Sequence, residues 1–380
     1  MPNEFALQTR IAKANNQFGF RLLPALAAQK SENPNVFISP LSISLALAML
    51  YNGTLGGARE AIAGTFGWSD LSQDDLNAAI AALVQNQGHD DPQVELAIAN
   101  SIWARLGIQL APDYLERMQA AFAGYITNLD FSKPQAAEEI NTWVSEQTRH
   151  KIPEIVDASS VSQSIVILIN ALYFKGLWQS PFDPKKTQPG QFTNLDGSQA
   201  SLPFMTQTGS FEYFEDKDLQ AVRLPYGNGH LCMDILLPRP DISLEAFRQM
   251  LNVRQWDRWL YAYDQAQGML RLPRFKIEYG AELKHFLAQI GMAPAFAIGA
   301  DFSGMGAGDL QISKIIHKTF IQVDEAGAEA AAATAVLTLR GAMHVKHFSM
   351  HVDRPFFLAI VDRRSGLIWF MGYAAHLLQA

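Results

Sequence analysis

Three histidines stand close together near the end of the chain and suggest metal chemistry. They are His344, His347 and His351, three of only nine histidines in 380 residues. Imidazole is the commonest side-chain metal ligand, but in an extended segment His347 and His351 point to one side and His344 to the other. Because that geometry does not make a three-histidine site, we expect no metal. An ordinary strand with polar edges is favoured, with a pH-sensitive contact as the intermediate alternative.

Residue patterns typical of enzymes are absent from the sequence. It contains no Gly-x-Ser-x-Gly, no His-Glu-x-x-His, no phosphate-binding loop and no Cys-x-x-Cys pair. The single cysteine, Cys232, lies in an apolar, strand-like run, as is typical of a buried and inert thiol. We therefore predict a protein that is not an enzyme and that uses no cofactor.

The most unusual segment is Asp-Glu-Ala-Gly-Ala-Glu at 324–329, followed by Ala-Ala-Ala-Ala-Thr-Ala at 330–335. It comes directly after a strand-like segment, 312–323. Alanine and glutamate favour helices, so these residues alone predict a plain surface helix. Small residues also fit exposed and packed environments alike, and Gly327 allows a change of direction. The alternative is therefore a loop that is exposed in one state and packed in another.

The surrounding elements indicate mixed α and β structure. The apolar, β-branched run 164–177 predicts a strand that is buried on both faces. Ser39 and Pro40 are expected to open an apolar helix over 41–51. Strand patterns dominate after residue 191. The later predicted elements are strands at 211–215, 221–224, 231–237, 269–277 and two within 352–373, and helices at 244–251 and 281–289.

Length and charge limit the possible functions. Without a linker, repeat or low-complexity spacer, one large domain over 1–380 is favoured. A net charge of −7, with no Lys or Arg in 70–104, argues against nucleic acid, polybasic membrane contacts and heparin. Neither a signal peptide nor a run of about twenty apolar residues is visible. We expect a cytoplasmic protein, with an extracellular one left open if a leader has been removed.

Several motifs resemble the serpin family. Met-His-Val-Asp-Arg-Pro-Phe-Phe-Leu-Ala-Ile at 350–360 resembles the family signature, and Asn-Ala-Leu-Tyr-Phe-Lys-Gly-Leu-Trp at 170–178 resembles its central strand. Further matches follow in the family's order at 37–43, 140–144, 224–226 and 272–275. The resemblance covers residues 14–374. The chain is identified as a member of this family, of an inhibitory, non-secreted and prokaryotic type.

The resemblance implies a fold and a function. The fold is α+β, a single domain with a large central sheet A, smaller sheets B and C, eight or nine helices and an exposed reactive-centre loop at about 325–346. The function is suicide-substrate inhibition of serine endopeptidases by a monomer, in which the cleaved loop inserts into sheet A. Two alternatives stay open: a non-inhibitory carrier or chaperone, and a trap for papain-like cysteine proteases.

The resemblance also implies which residues take part. The hinge of the loop is assigned to Glu325, Gly327, Ala328, Glu329, Ala330, Ala332 and Thr334. Trp178 and Arg274 are assigned to the site where insertion begins, the breach, with Arg274 paired to Glu325. Ser39, Ser42, Asn170 and His317 are assigned to a polar cluster beneath the opening sheet, the shutter. In an inserted strand, Ala328, Ala330, Ala332, Thr334 and Val336 would all face the core, and none is charged.

Two positions compete for the scissile bond. The family's usual loop length puts the cut between Gly341 and Ala342, which suits elastase-like or subtilisin-like proteases. If the loop is counted one residue shorter, the cut falls between Arg340 and Gly341. That bond suits trypsin-like proteases, because their specificity pocket holds a carboxylate that binds a basic side chain. We favour Arg340 and keep both.

Overall fold

The computed structural model describes residues 2–29, 33–85, 91–122, 124–306, 310–328 and 347–378. Ten α-helices lie within these residues, two of which have only four or five residues, so that eight longer helices remain of the eight or nine expected. The helices are α1 (Pro2–Ala27), α2 (Pro40–Tyr51), α3 (Gly56–Phe66), α4 (Gln73–Gln85), α5 (Pro112–Phe122), α6 (Gln135–Gln147), α7 (Ala158–Ser162), α8 (Leu244–Met250), α9 (Val253–Leu260) and α10 (Lys284–Leu287).

Strands make up two hydrogen-bonded sheets, and they cluster in the second half of the chain, as predicted. They are β1 (Val36–Ile38), β2 (Val94–Arg105), β3 (Tyr125–Leu129), β4 (Val166–Leu177), β5 (Gln188–Thr193), β6 (Gln199–Glu215), β7 (Leu219–Pro225), β8 (Leu231–Pro238), β9 (Asp264–Pro273), β10 (Phe275–Glu282), β11 (Ile312–Val323), β12 (Gly327–Ala328), β13 (His347–His351), β14 (Phe356–Asp362) and β15 (Ile368–Ala374).

The six-stranded sheet has the order β10-β11-β4-β2-β3, with β12 paired to β4. The nine-stranded sheet has the order β1-β15-β14-β8-β7-β6-β9-β13, with β5 paired to β6. The three predicted sheets become two hydrogen-bonded units because the long strand β6 belongs to both smaller ones. It pairs with β9 from Phe204 to Tyr213 and with β7 from Glu212 to Glu215.

Strand β4 is buried on both faces, as its composition predicts. One face, which includes Leu168 and Phe174, packs into the main core. The other face, which includes Ile169 and Tyr173, packs into a second cluster under α6. Any strand added beside β4 would therefore also have both of its faces covered.

Helix α2 is buried along its whole length and supports the six-stranded sheet from the core side. Ser39 caps it as predicted, with its Oγ accepting a hydrogen bond from the Ser42 backbone N–H at 3.2 Å, and Pro40 is the first helical residue. An apolar helix of this kind needs cover on all sides.

Two predicted elements have other boundaries. The single strand expected at 269–277 is two strands in different sheets, because the chain crosses between the sheets at Arg274. The helix expected at 281–289 begins later, at Lys284, since Ala281 and Glu282 still pair with β11, and after Leu287 it continues as a π-helix over Ala288–Met292. Across the described ranges, none of the helices is both long and apolar enough to cross a membrane.

Candidate functional site

The parallel strands β4 and β11 separate at one end and leave a slot between them. Their pairing runs from Val166 opposite Ile312 to Tyr173 opposite Phe320. Beyond that pair both strands continue, to Leu177 and Val323, without pairing to each other. Strand β12 enters there: Gly327 lies opposite Leu177 and Ala328 opposite Gly176, antiparallel to β4. The chain after β11 therefore turns back into the open end of its own sheet.

A tight turn over Asp324, Glu325, Ala326 and Gly327 reverses the chain. The backbone N–H of Asp324 donates to the carbonyl of Gly327 at 2.8 Å, and the reverse bond is 3.2 Å long. The Asp324 carboxylate also accepts the N–H of Ala326 at 2.9 Å. Gly327 has a φ of 143°, and a Cβ there would overlap the carbonyl oxygen of Gly176. Only glycine suits this position.

Trp178 holds the turn from the end of β4. Its indole Nε1–H donates to the carbonyl of Asp324 at 3.0 Å, and its backbone N–H donates to the carbonyl of Ala326 at 2.7 Å. The ring is 3% exposed and stacks on Tyr226, with centroids 4.3 Å apart and planes inclined by 11°. Trp178 thus ties the turn to both β4 and the nine-stranded sheet.

Glu325 and Arg274 form an ion pair beside the turn. The Nε of Arg274 donates to Glu325 Oε1 at 2.8 Å, and its Nη2 and the hydroxyl of Thr187 donate to the same oxygen. The Glu325 side chain is 9% exposed and that of Arg274 is 44% exposed. Burial would raise the pKa of the Glu325 carboxyl, but the hydrogen bonds from Arg274 and Thr187 outweigh it and the pKa is lowered.

A buried polar cluster lies midway along β4 and β11, and its members are Ser39, Ser42, Asn170 and His317. The Ser39 N–H donates to His317 Nε2 at 3.2 Å, so the ring carries its proton on Nδ1 and donates it to Asn170 Oδ1 at 2.5 Å. The Asn170 amide donates to the Ser42 carbonyl at 3.0 Å. Burial lowers the pKa of His317 to about 3, which keeps the imidazole neutral.

Asn100 is a further member of this cluster and Thr319 is a buried polar residue near it, and neither was predicted from the sequence. Asn100, opposite Asn170 on β2, accepts hydrogen bonds from Asn170 and, at 3.4 Å, from the Ser42 hydroxyl. Thr319 donates to the carbonyl of Phe37. Asn100 could have been found from the sequence, because an asparagine at a core-facing position of a strand must find a hydrogen-bond partner when it is buried.

A family model described as Serpin (serine protease inhibitor) matches residues 13–377. The chain belongs to the serpin family. It is 37% identical to an uncharacterized serpin-like protein of Thermococcus kodakarensis, over 95% of this chain and 84% of the relative. Members of the family are protease inhibitors or carriers rather than enzymes, so the family assignment confirms the prediction of no enzymatic activity.

Solved structures of serpins superpose on most of the chain. The native state of the thermophilic serpin tengpin covers 96% of this chain and 94% of its own, with 28% identity and a TM-score of 0.86. Human thyroxine-binding globulin in complex with its hormone covers 98% and 100%, with 26% identity and a TM-score of 0.89. The predicted α+β serpin fold is confirmed.

The remaining predicted residues of this serpin fall into two groups. His347 and His351 lie on β13, where His347 is exposed and the His351 ring packs against Phe204 with centroids 5.0 Å apart. No cluster of metal-binding side chains is found within the described part of the chain. The predicted residues outside the described ranges are Glu329, Ala330, Ala332, Thr334, Val336, Arg340, Gly341, Ala342 and His344.

Cys232 is the buried, inert thiol that the sequence predicts. It is 0% exposed, and its Sγ lies 3.7 Å from the carbonyl oxygen of Val361. Burial raises the pKa of the thiol, so no thiolate is available as a nucleophile.

Proposed function

We propose that this serpin is a suicide-substrate inhibitor of serine endopeptidases. A target protease would cleave the loop within about 325–346, and the cut loop would insert between β4 and β11 while the protease is still bound as an acyl-enzyme. Serpin loop insertion is a known case of strand addition that releases stored strain. We propose the hinge, breach and shutter roles for the residues assigned to them above.

The register of β12 is the observation that carries this proposal. Ala328 lies opposite Gly176 on β4, so an antiparallel continuation would bring Thr334 opposite Asn170. The paired hydrogen bonds between Asp324 and Gly327 give a second register, toward β11. If the strand continued antiparallel to β11 in this register, Thr334 would lie opposite His317. The two registers agree, because His317 and Asn170 are themselves paired.

The side chains of the loop suit this path. Ala330, Ala332 and Val336 would lie on the core face of β4, beside buried residues such as Leu172 and Leu168. The other alanines would lie beneath α6, next to the second cluster. Small side chains on both faces limit the overpacking that insertion would otherwise cause. The Thr334 hydroxyl both donates and accepts, so it can replace the hydrogen bond that separation of His317 and Asn170 breaks.

A protease panel tests the proposal and decides the scissile bond. The intact chain is incubated with trypsin, with an elastase and with subtilisin, and the products are separated under denaturing conditions and mapped by mass. We expect a denaturant-stable complex, with trypsin if the bond is Arg340–Gly341 and with elastase or subtilisin if it is Gly341–Ala342. Clean cleavage by all three, without a complex, contradicts the proposal.

One observation favours a second candidate, a non-inhibitory carrier. The fold superposes on a thyroxine-binding globulin that holds thyroxine, with a TM-score of 0.89. A carrier would be cleaved without trapping the protease and would gain little stability from the cut. A papain-like cysteine protease added to the panel tests the remaining alternative. The monomeric state and the cytoplasmic location stay predictions.

A further inference from the structure

A cavity of about 210 Å³ lies behind Trp178, between the segment that follows β4 and the strands β6 and β7. We call it the Trp178 cavity. Its walls include Trp178, Phe182, Phe211, Glu212, Arg223 and Arg363. Nothing in the proposed trapping mechanism uses this cavity. The open end of the sheet lies on one side of Trp178, and the same residue also lines the cavity.

One part of the lining is aromatic. Trp178 and Phe182 are each 3% exposed and Phe211 is 7% exposed. The rings of Trp178 and Phe182 meet edge to face, with centroids 6.5 Å apart. Aromatic rings prefer edge-to-face or offset neighbours, so this wall suits a planar ring.

Another part of the lining is charged, and most of the remaining side chains are neutral and polar. Arg223 binds the buried carboxylate of Asp234 through Nε at 2.7 Å and Nη2 at 2.8 Å, and its Nη1 lies 3.4 Å from Glu212. Glu212 is also shared by Arg363, at 2.9 Å. Two guanidinium groups and one carboxylate therefore line the cavity, and because the Asp234 carboxylate pairs with Arg223, Arg363 is the cation that a ligand can reach.

Arg363 has hydrogen-bonding capacity to spare. Only its Nη2 binds Glu212, and its Nε and Nη1 make no hydrogen bond to any residue in the described ranges. Its side chain is 39% exposed, so the group is reachable from solvent. A guanidinium binds a carboxylate through parallel N–H groups, which gives direction as well as attraction.

We propose that the Trp178 cavity binds a small aromatic monocarboxylate. The ring would pack among Trp178, Phe182 and Phe211, and the carboxylate would take the free donors of Arg363. An apolar cavity of about 150 Å³ is large enough to hold benzene. A volume of about 210 Å³ therefore fits one ring with a carboxylate, and Arg363 would direct that carboxylate. This site does not depend on protease inhibition.

A ligand in the Trp178 cavity should also change the dynamics of the turn at 324–327. The same Trp178 that lines the cavity donates to the carbonyls of Asp324 and Ala326. A ligand packed against its ring would restrict the indole. Slower hydrogen exchange of the Trp178 and Gly327 amides on ligand addition is the expected local readout.

Fluorine NMR titration of the full chain with 4-fluorobenzoate tests the proposal. We expect saturable binding, and binding of the uncharged 4-fluorobenzyl alcohol at least about tenfold weaker, since charge-assisted hydrogen bonds are the stronger kind. Arg363→Gln should weaken 4-fluorobenzoate binding by about tenfold or more. Arg258→Gln removes an exposed charge on α9 and is the matched control, with binding unchanged.

A second variant keeps the test independent of Arg363. Gly209 lines the cavity, and a Cβ added there meets no atom within 4 Å, so Gly209→Leu should fold normally and fill the space. Loss of binding in Gly209→Leu, with an unchanged melting temperature, supports the site. Absence of saturable binding to the native chain, or equal affinity in the native chain and both variants, overturns the proposal.

Discussion

His317 and Asn170 face each other across β11 and β4, with the imidazole Nδ1 donating to the amide oxygen at 2.5 Å. This hydrogen bond joins the two strands between which the loop is proposed to insert. Insertion of a strand must break it, and the backbone pairing around it. The pair thus marks the middle of the path that the cut loop would take.

The neutral state of His317 predicts a loss of stability in acid. Burial lowers its pKa to about 3, whereas an exposed imidazole titrates near 6.5. Below about pH 6.5 the unfolded chain takes up a proton that the native state does not, so the free energy of unfolding falls by about 1.4 kcal/mol per pH unit until about pH 3. Urea unfolding at pH 7.0 and 5.5 measures the loss. In His317→Gln the difference between the two pH values should be smaller by about 1.3 kcal/mol, because only the part of this interval below pH 6.5 carries the full slope; an equal difference contradicts the assignment.

The ion pair of Glu325 and Arg274 predicts that removing one partner destabilises the protein more than removing the other. Glu325→Ala leaves the half-exposed Arg274 free to be hydrated, whereas Arg274→Ala leaves a carboxylate that is only 9% exposed with Thr187 alone. We expect Arg274→Ala to lower the free energy of unfolding more than Glu325→Ala does, by on the order of 1–3 kcal/mol. The double variant should reveal a coupling of about 1 kcal/mol, typical of partly exposed pairs. Additive losses would mean that the pair contributes nothing beyond its separate residues.

Trp178 can be tested for its hydrogen bond and its ring separately. Trp178→Phe keeps a ring on Tyr226 but removes the N–H that binds Asp324, and should cost about 1 kcal/mol. Trp178→Ala removes both and should cost about 3–5 kcal/mol. Thermal unfolding of the three proteins gives the order. An unchanged stability of Trp178→Phe would show that the indole N–H does not hold the turn.

Gly327 is predicted to be required for two reasons, its positive φ and its contact with Gly176. Gly327→Ala should therefore lower stability by more than Gly299→Ala, which has a φ of 81° but no atom within 4 Å of an added Cβ. The control measures the backbone strain alone, on the order of 1–3 kcal/mol. Loss of the β12 pairing should also reduce the yield of protease complex. Equal destabilisation in the two variants would exclude the steric part of this account.

The sequence was sufficient to bring together the residues of the site. The resemblance to serpins, rather than the residue pattern itself, placed Arg274 with Glu325 and Ser39 with His317, although each pair is far apart in the chain. Asn100, Thr187 and Thr319 were missed for a physical reason. Each becomes a partner only through a tertiary hydrogen bond, and only Asn100, at a core-facing position of a strand, differs in its local pattern from other polar residues in strands or turns. The same limit applies to Arg274, where a continuous strand pattern concealed the crossing between two sheets.

The melting temperature of the intact chain and of the chain cut once in its loop tests the central claim most directly. A protease that cuts without being trapped, or trace trypsin followed by an inhibitor, supplies the nicked form. Insertion should raise the melting temperature by tens of degrees, and Thr334→Arg, which would bring a charge between His317 and Asn170, should abolish most of that rise while leaving the intact form unchanged. A nicked native chain that melts no higher than the intact one contradicts the account.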